Sequence, residues 1–325
     1  MATETPFDPE LAGFTHTRLE WKQVPPRVRR SIERRLGAPV ERSESQRRGF
    51  SPALASRLTV GTGDRVFAKA IAPDAESGAP GGQDLYRQEA RITALLPDGA
   101  PVPRLLDSWE EGGWVVLVFE DVDGRHPALP WDRAELESVL DALSRLSTDL
   151  TPSPVPGPPA QVPGGRDWWS ELAVDRARLD RIPGLDPWIK ANVDLLAATG
   201  ASSGSPFSGS TLLHTDIRAD NVLFVGRRVM FVDWPHARVG APWIELVFFL
   251  PSVAMQGGPD PELLFWRQPS TIDADPSSVL AVLAGLAGFF IHGATEDPPP
   301  GLPTLRRFQL AQGIEAVNWL RRMMG

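Results

Sequence analysis

LLHTDIRADNVLFVGRRVMFVDW, from Leu212 to Trp234, is the stretch on which the reading of this chain turns. Leu212 and Leu213 end a short apolar strand, His214 to Asn221 form a polar loop, and Val222–Val225 and Val229–Val232 are predicted strands joined by Gly226-Arg227-Arg228. Arg227 is the midpoint of that hairpin. Asn221 and Asp233 lie six residues to either side of it, so folding the hairpin returns both side chains to one end, beside the loop that carries Asp216. Two carboxylates and a carboxamide make an oxygen-only set. Such a set suits Mg²⁺, a hard cation that takes one or two carboxylates and completes its shell with phosphate and water, and it does not suit zinc. A polar hairpin loop whose Asp and Asn only make local turns has the same composition, so the rest of the chain must decide.

Composition narrows the field. With 325 residues, 42% of them apolar, the chain can bury two cores, and two lobes are expected. A net charge of −8 favours no nucleic-acid partner. No apolar run approaches the roughly 18 residues of a membrane helix, Leu246 to Leu250 among them, so no membrane partner is expected either. Met1 to Glu10 has no basic stretch leading into an apolar one, so it does not read as a secretion signal and a cytoplasmic location is expected. The absence of cysteine excludes disulfides, a thiolate nucleophile and a thiolate metal site.

Pro25 to Arg48 carries eight arginines, but Val28, Ile32 and Leu36 recur at every fourth position and Gly37 follows as a cap. That pattern describes an amphipathic helix with a solvated basic face. Ala55–Gly61 and Arg65–Ile71 are strand candidates joined by Thr62-Gly63-Asp64. A Gly/Pro/Ser-rich stretch then leads to a helix predicted over Asp84–Leu96, and Trp114–Phe119 reads as a buried strand. The polar segment Glu120–Gly124 follows. Beyond it, helices are expected near Ala134–Leu150, Trp168–Leu179 and Pro187–Ala198, with a Pro-rich linker over Thr151–Gly165.

His214-x-Asp216-x4-Asn221, followed by Asp233-Trp234, resembles the catalytic loop and metal-binding aspartate of the aminoglycoside phosphotransferase family, small-molecule kinases related to the protein kinases. The resemblance implies an α+β, bilobal, protein-kinase-like fold: a nucleotide-binding lobe over residues 1–119, small, β-rich and with one key helix, a hinge at 120–124, and a larger, mainly helical catalytic and acceptor-binding lobe over 125–325. It implies ATP or GTP as co-substrate with Mg²⁺, and a small-molecule hydroxyl as acceptor, in an antibiotic or in a metabolite such as a choline-like alcohol or sugar. Asp216 would orient the hydroxyl and take its proton, Asn221 and Asp233 would hold the metal, and His214 would brace the loop. Arg218 is placed to neutralise charge on the transferring phosphoryl group, although a surface arginine fits that position equally.

Kinase chemistry also requires a strand lysine paired with a helix glutamate. Lys69 alternates onto the same strand face as Phe67 and Ile71, and Glu89 falls in a helical stripe with Leu85, Ile92 and Leu96. A charge pointed at a core is costly alone, and a Lys69–Glu89 pair compensates both. By analogy Gly49, Phe50 and Ser51 would cover the phosphates, and backbone groups of Glu120 and Val122 would bind the nucleobase edge. Two departures stand out. Thr215 and Asp220 replace the small residues usual in the family's loop, and Glu245 stands where an aspartate usually braces it, with a longer arm to reach. Two other classes share parts of this set: a nucleotide-binding pseudokinase, and a metal-dependent hydrolase using His214, Asp216, Asp233 and His236.

Overall fold

The computed structural model describes residues 18–46, 52–74, 81–201, 206–299 and 302–325. These form an α+β protein of two compact units: residues up to Pro127 together with Ala219–Ala237, and Ala128–Arg218 together with Arg238–Gly325.

The first unit is built on an antiparallel sheet of strands β1 (Val40–Ser45), β2 (Leu54–Val60), β3 (Arg65–Ile71), β4 (Leu105–Glu111) and β5 (Trp114–Glu120), in the order β1-β2-β3-β5-β4. Because β5 lies between two neighbours and is covered on both faces, its sequence is an unbroken apolar run rather than an alternation. Period-2 alternation splits β3 cleanly. Val66, Ala68 and Ala70 pack with Trp21, Val28 and Ile32, the last two from helix α1 (Pro26–Leu36). Ile71 and Phe67 go to the opposite face, with Leu117, Phe119 and Tyr86 of helix α2 (Gly82–Thr93). Lys69 therefore belongs to the α2 face, as its alternation predicts.

The basic face of α1 is solvated and ion-paired: Arg27 and Arg34 reach Glu111, and Arg35 lies 2.7 Å from Asp107, both acids of β4. Arg47 and Arg48 lie outside the described residues. Neither β1 nor β4 is anticipated by the sequence reading, because VERSES and LLDSWEE are edge strands with few apolar positions. The α2 stripe also differs from expectation. The helix stops at Thr93, ahead of the turn into Pro97, so Leu96 lies beyond it and Leu85 is exposed; the buried positions are Gly82, Tyr86, Glu89, Ile92 and Thr93.

The hairpin of β7 (Val222–Val225) and β8 (Arg228–Phe231) belongs to this same unit, tied to it by paired hydrogen bonds between Phe224 and Arg125 and by the Phe231 N–H to the Pro101 carbonyl at 2.7 Å. Val225 pairs with Arg228, so the turn is the two-residue Gly226-Arg227, with Gly226 at φ 59°. The hairpin midpoint thus falls between those residues rather than at Arg227. Asn221 faces Val232, whose N–H reaches the Asn221 carbonyl at 3.0 Å, and Asp233 follows one residue later.

The second unit is mainly helical: α3 (Arg133–Asp149), α4 (Trp168–Val174), α5 (Pro187–Ala191), α6 (Val193–Gly200), α7 (Ile244–Met255), α8 (Pro261–Phe265), α9 (Pro276–Ala294) and α10 (Leu305–Met324), with β6 (Thr211–Leu213) antiparallel to β9 (Arg238–Gly240). The helix expected over Pro187–Ala198 is two helices meeting at Asn192. Among the described residues α9 alone is long and apolar enough to cross a membrane by length and composition, although its glycines keep it from being an unbroken apolar run in the sequence. It is a core helix in this unit: 67% of its apolar window is buried, and the Trp169 indole N–H donates to its Ala284 carbonyl at 2.7 Å.

Gly37 ends α1 at φ 76°, and a Cβ added there meets no atom within 4 Å. Gly37→Ala therefore tests backbone conformation alone and is expected to lower unfolding free energy by about 1 kcal/mol in denaturant titration.

Candidate active site

Lys69 gathers the first unit's chemistry. Its Nζ lies 2.6 and 2.8 Å from the two Glu89 carboxylate oxygens and 2.6 Å from Asp233 Oδ1. Three segments distant in sequence meet there: β3, α2 and the end of the β7–β8 hairpin. Glu89 also accepts the Trp234 N–H at 3.3 Å, which fixes the backbone just past Asp233. Burial alone would push the Lys69 ammonium toward neutrality, but the Asp233 and Glu89 carboxylates outweigh it and raise its pKa. Burial likewise opposes ionisation of Asp233, and Lys69 again prevails, holding that carboxyl below the usual carboxylate range.

Asp233 differs from Glu89 in what it leaves open. Its side chain keeps 39% of its exposure against 3% for Glu89, and only Oδ1 is engaged among the described residues. Its φ of 72° is left-handed, a conformation rare outside glycine, asparagine and aspartate. Asn221 is buried at the start of β7, at the hairpin end that carries Asp233. No group of three or more His, Cys, Asp or Glu side chains among the described residues is arranged to hold a metal alone. An ionised, half-open carboxylate with a carboxamide on the same hairpin end fits Mg²⁺, which takes few protein ligands and fills its shell with phosphate and water.

The polar loop of the second unit is held by Glu245, the second residue of α7. Its two oxygens accept the His214 N–H at 2.5 Å and the Thr215 N–H at 2.9 Å, so the glutamate reaches the loop where a shorter aspartate is usual. Thr215 is left-handed, at φ 63°. His214 is fully buried, and its Nδ1 accepts the Asp216 N–H at 3.2 Å, so the ring braces the loop. Arg218 is buried, not on the surface, and its guanidinium pairs with the Asp216 carboxylate.

Of the other predicted positions, Glu120 ends β5 with its N–H on the Arg104 carbonyl at 3.0 Å, and Val122 follows in the connecting segment. Gly49, Phe50 and Ser51 lie outside the described residues. Sequence reasoning missed the arginines that grip this segment: Arg57 and Arg65 both pair with Asp121 and Asp123. The available signal was the pair of acids bracketing Val122.

The sequence description of the phosphotransferase enzyme family matches residues 47–289. The chain belongs to that family. Solved structures share the fold of this phosphotransferase: an aminoglycoside-3'-phosphotransferase of type VIII (23% identity, TM-score 0.53, covering 80% of this chain and 97% of that one); choline kinase from Cryptosporidium parvum Iowa II (11%, 0.55, 87% and 90%); and a macrolide 2'-phosphotransferase type I (16%, 0.51, 86% and 92%). The fold is thus protein-kinase-like. No curated protein matches the sequence significantly.

Glu245 gives the phosphotransferase a pH signature. Burial raises its pKa, the hydrogen bonds from His214 and Thr215 lower it, the Asp216 charge raises it, and burial wins, pushing it up from 4.5 to about 7. The folded state then holds a proton that the unfolded chain releases between those two values, so this group's contribution to stability falls as pH rises through that window. Compared with Glu245→Gln, the wild type is expected to lose on the order of 3 kcal/mol between about pH 4.5 and pH 7. Parallel stability curves for the two proteins would place an ionised Glu245 throughout.

Proposed function

We propose that this protein transfers the γ-phosphoryl group of a nucleoside triphosphate to a hydroxyl of a small molecule. The observation that carries the reading is the Lys69 ammonium held between buried Glu89 and half-open Asp233. A purely structural ion pair would be complete with one carboxylate, whereas phosphoryl transfer needs a lysine oriented toward phosphate and a second acid free to meet a cation. Asn221 and Asp233 would hold Mg²⁺, which when bound neutralises charge on the phosphates. The sheet unit takes the nucleotide, with Ser51 over the phosphates and the Glu120 and Val122 backbone at the base. Asp216 orients the acceptor hydroxyl and accepts its proton; Arg218, paired with that carboxylate, fixes its orientation and turns positive charge toward the transferring group.

A small acceptor is favoured because only eleven residues lie between Asp233 and Glu245, and three of them form β9. Protein kinases place their long peptide-docking segment there. Proteins of this fold include aminoglycoside, macrolide and choline phosphotransferases, which favours a hydroxyl-bearing antibiotic or amino alcohol, met in the cytoplasm where nucleoside triphosphate is available.

The test is nucleoside-diphosphate release across a panel of aminoglycosides, macrolides and choline-like alcohols. Asp216→Ala is expected to lower acceptor-stimulated turnover by roughly 10²- to 10⁴-fold with nucleotide affinity near wild type. Unchanged turnover would remove Asp216 from the reaction. Asp233→Ala is expected to abolish the magnesium dependence of nucleotide binding in calorimetric titration, and normal Mg-nucleotide affinity would remove its metal role. Nucleotide binding with no transfer to any acceptor would favour a regulatory nucleotide-binding protein.

A further inference from the structure

The segment after β5 is gripped from the sheet by two arginines. Arg57 of β2 pairs across the strands with Phe67, and Ala55, two residues before it, pairs with Lys69, so Arg57 and Lys69 share a face. Its Nε lies 3.1 Å from Asp121 Oδ1 and one terminal nitrogen lies 3.4 Å from Asp123 Oδ1. Its other terminal nitrogen donates to the Val122 carbonyl at 2.5 Å. Arg65 reaches the remaining carboxylate oxygens, at 3.2 Å on Asp121 and 2.9 Å on Asp123, but not that carbonyl. Asp121 is buried, at 3% exposure, and its contacts are ion pairs by distance rather than aligned hydrogen bonds. Three successive residues therefore fix one guanidinium.

The Val122 carbonyl also accepts the Gly124 N–H at 2.9 Å. A carbonyl oxygen has two lone pairs, and both are used. The Val122 N–H has no hydrogen-bond partner among the described residues. This peptide edge thus offers a donor and withholds its acceptor. Adenine presents an acceptor at N1 and can meet the donor directly. Guanine can place O6 on the donor, but its adjoining N1–H and N2 amine then face a carbonyl already occupied twice. A donor buried without a partner is costly.

We propose that Arg57 makes this protein selective for ATP over GTP by occupying, together with the Gly124 N–H, the Val122 carbonyl that guanine would need. The inference rests on the nucleotide reading above, with Val122 at the base edge.

Competition binding on the full chain with Mg-ATP, Mg-GTP and Mg-ITP tests it. ATP is expected to bind about 10- to 100-fold more tightly than GTP, the worth of one stranded donor. Inosine triphosphate keeps N1–H and O6 but lacks the N2 amine, and should be rejected with GTP. Arg57→Met should narrow the ATP/GTP ratio to within a few-fold through a gain in GTP binding, while Arg65→Met, which leaves the Val122 carbonyl engaged, should keep it. Wild-type affinities for ATP and GTP within threefold, ITP bound like ATP, or a ratio unmoved in a folded Arg57→Met protein would each overturn the proposal. The wild-type comparisons decide without any variant. Binding of none of the three removes the nucleotide reading itself, and this inference with it.

Discussion

A lysine ammonium enclosed by two carboxylates is the constraint around which the first unit is organised. Burying any one of these charges alone would cost several kcal/mol, and removing one partner from such a group leaves another uncompensated. Lys69 must therefore stand on the α2 face of β3, Glu89 must fall in the buried stripe of α2, and the β7–β8 hairpin must end with Asp233 within reach. A one-residue slip of β3 would send Lys69 to the α1 face, among Val28 and Ile32, where the described residues of the core are apolar. The ion-pair cluster thus acts as a check on strand register.

That dependence explains which features were legible in the sequence. Lys69 and Glu89 are conspicuous because each is a charge in a position that periodicity assigns to the core, and only mutual pairing removes the contradiction. Asp233 and Asn221 are readable because a short hairpin converts sequence distance into spatial adjacency, and an error of half a residue in its midpoint leaves both at the same end. The edge strands β1 and β4 were invisible for the opposite reason. Their polar composition follows from lying at the margins of the sheet, so nothing in VERSES or LLDSWEE separates strand from loop before the neighbours are known. The Arg57 contact with the Val122 carbonyl was beyond reach too, since it joins a side chain to a main-chain atom 65 positions away and leaves no periodic trace.

The helical unit shows a different limit. Helices α7 and α9 are apolar nearly all round, with weak amphipathic character, because they are surrounded by other helices instead of lying at a surface. Periodicity, the signal that found α1 and α2, is absent from buried helices, and length of apolar run then mimics a membrane span. Of the aromatic residues of this unit, Trp243, Phe248, Phe290 and Trp319 are buried in its core, whereas Trp266 is partly exposed. Aromatic content here records packing more than a binding surface.

The two units solve one backbone problem in the same way. Thr215 and Asp233 both adopt left-handed conformations, at φ 63° and 72°, and each sits where a strand gives way to a functional loop. Such residues cost about 1–3 kcal/mol each and persist only where their surroundings over-determine them. In both places a buried glutamate supplies the determination. Glu245 accepts the N–H groups of His214 and Thr215, and Glu89 accepts the N–H of Trp234, next to Asp233. Each such hydrogen bond contributes about 0.5–1.5 kcal/mol, and more where the carboxyl is ionised, which offsets the strain in whole or in part. The length of Glu245 matters in this light: a β-branched threonine in a left-handed turn is harder to hold than a small residue, and the carboxylate that reaches both N–H groups is the feature that lets this chain keep Thr215 at the head of the loop carrying Asp216.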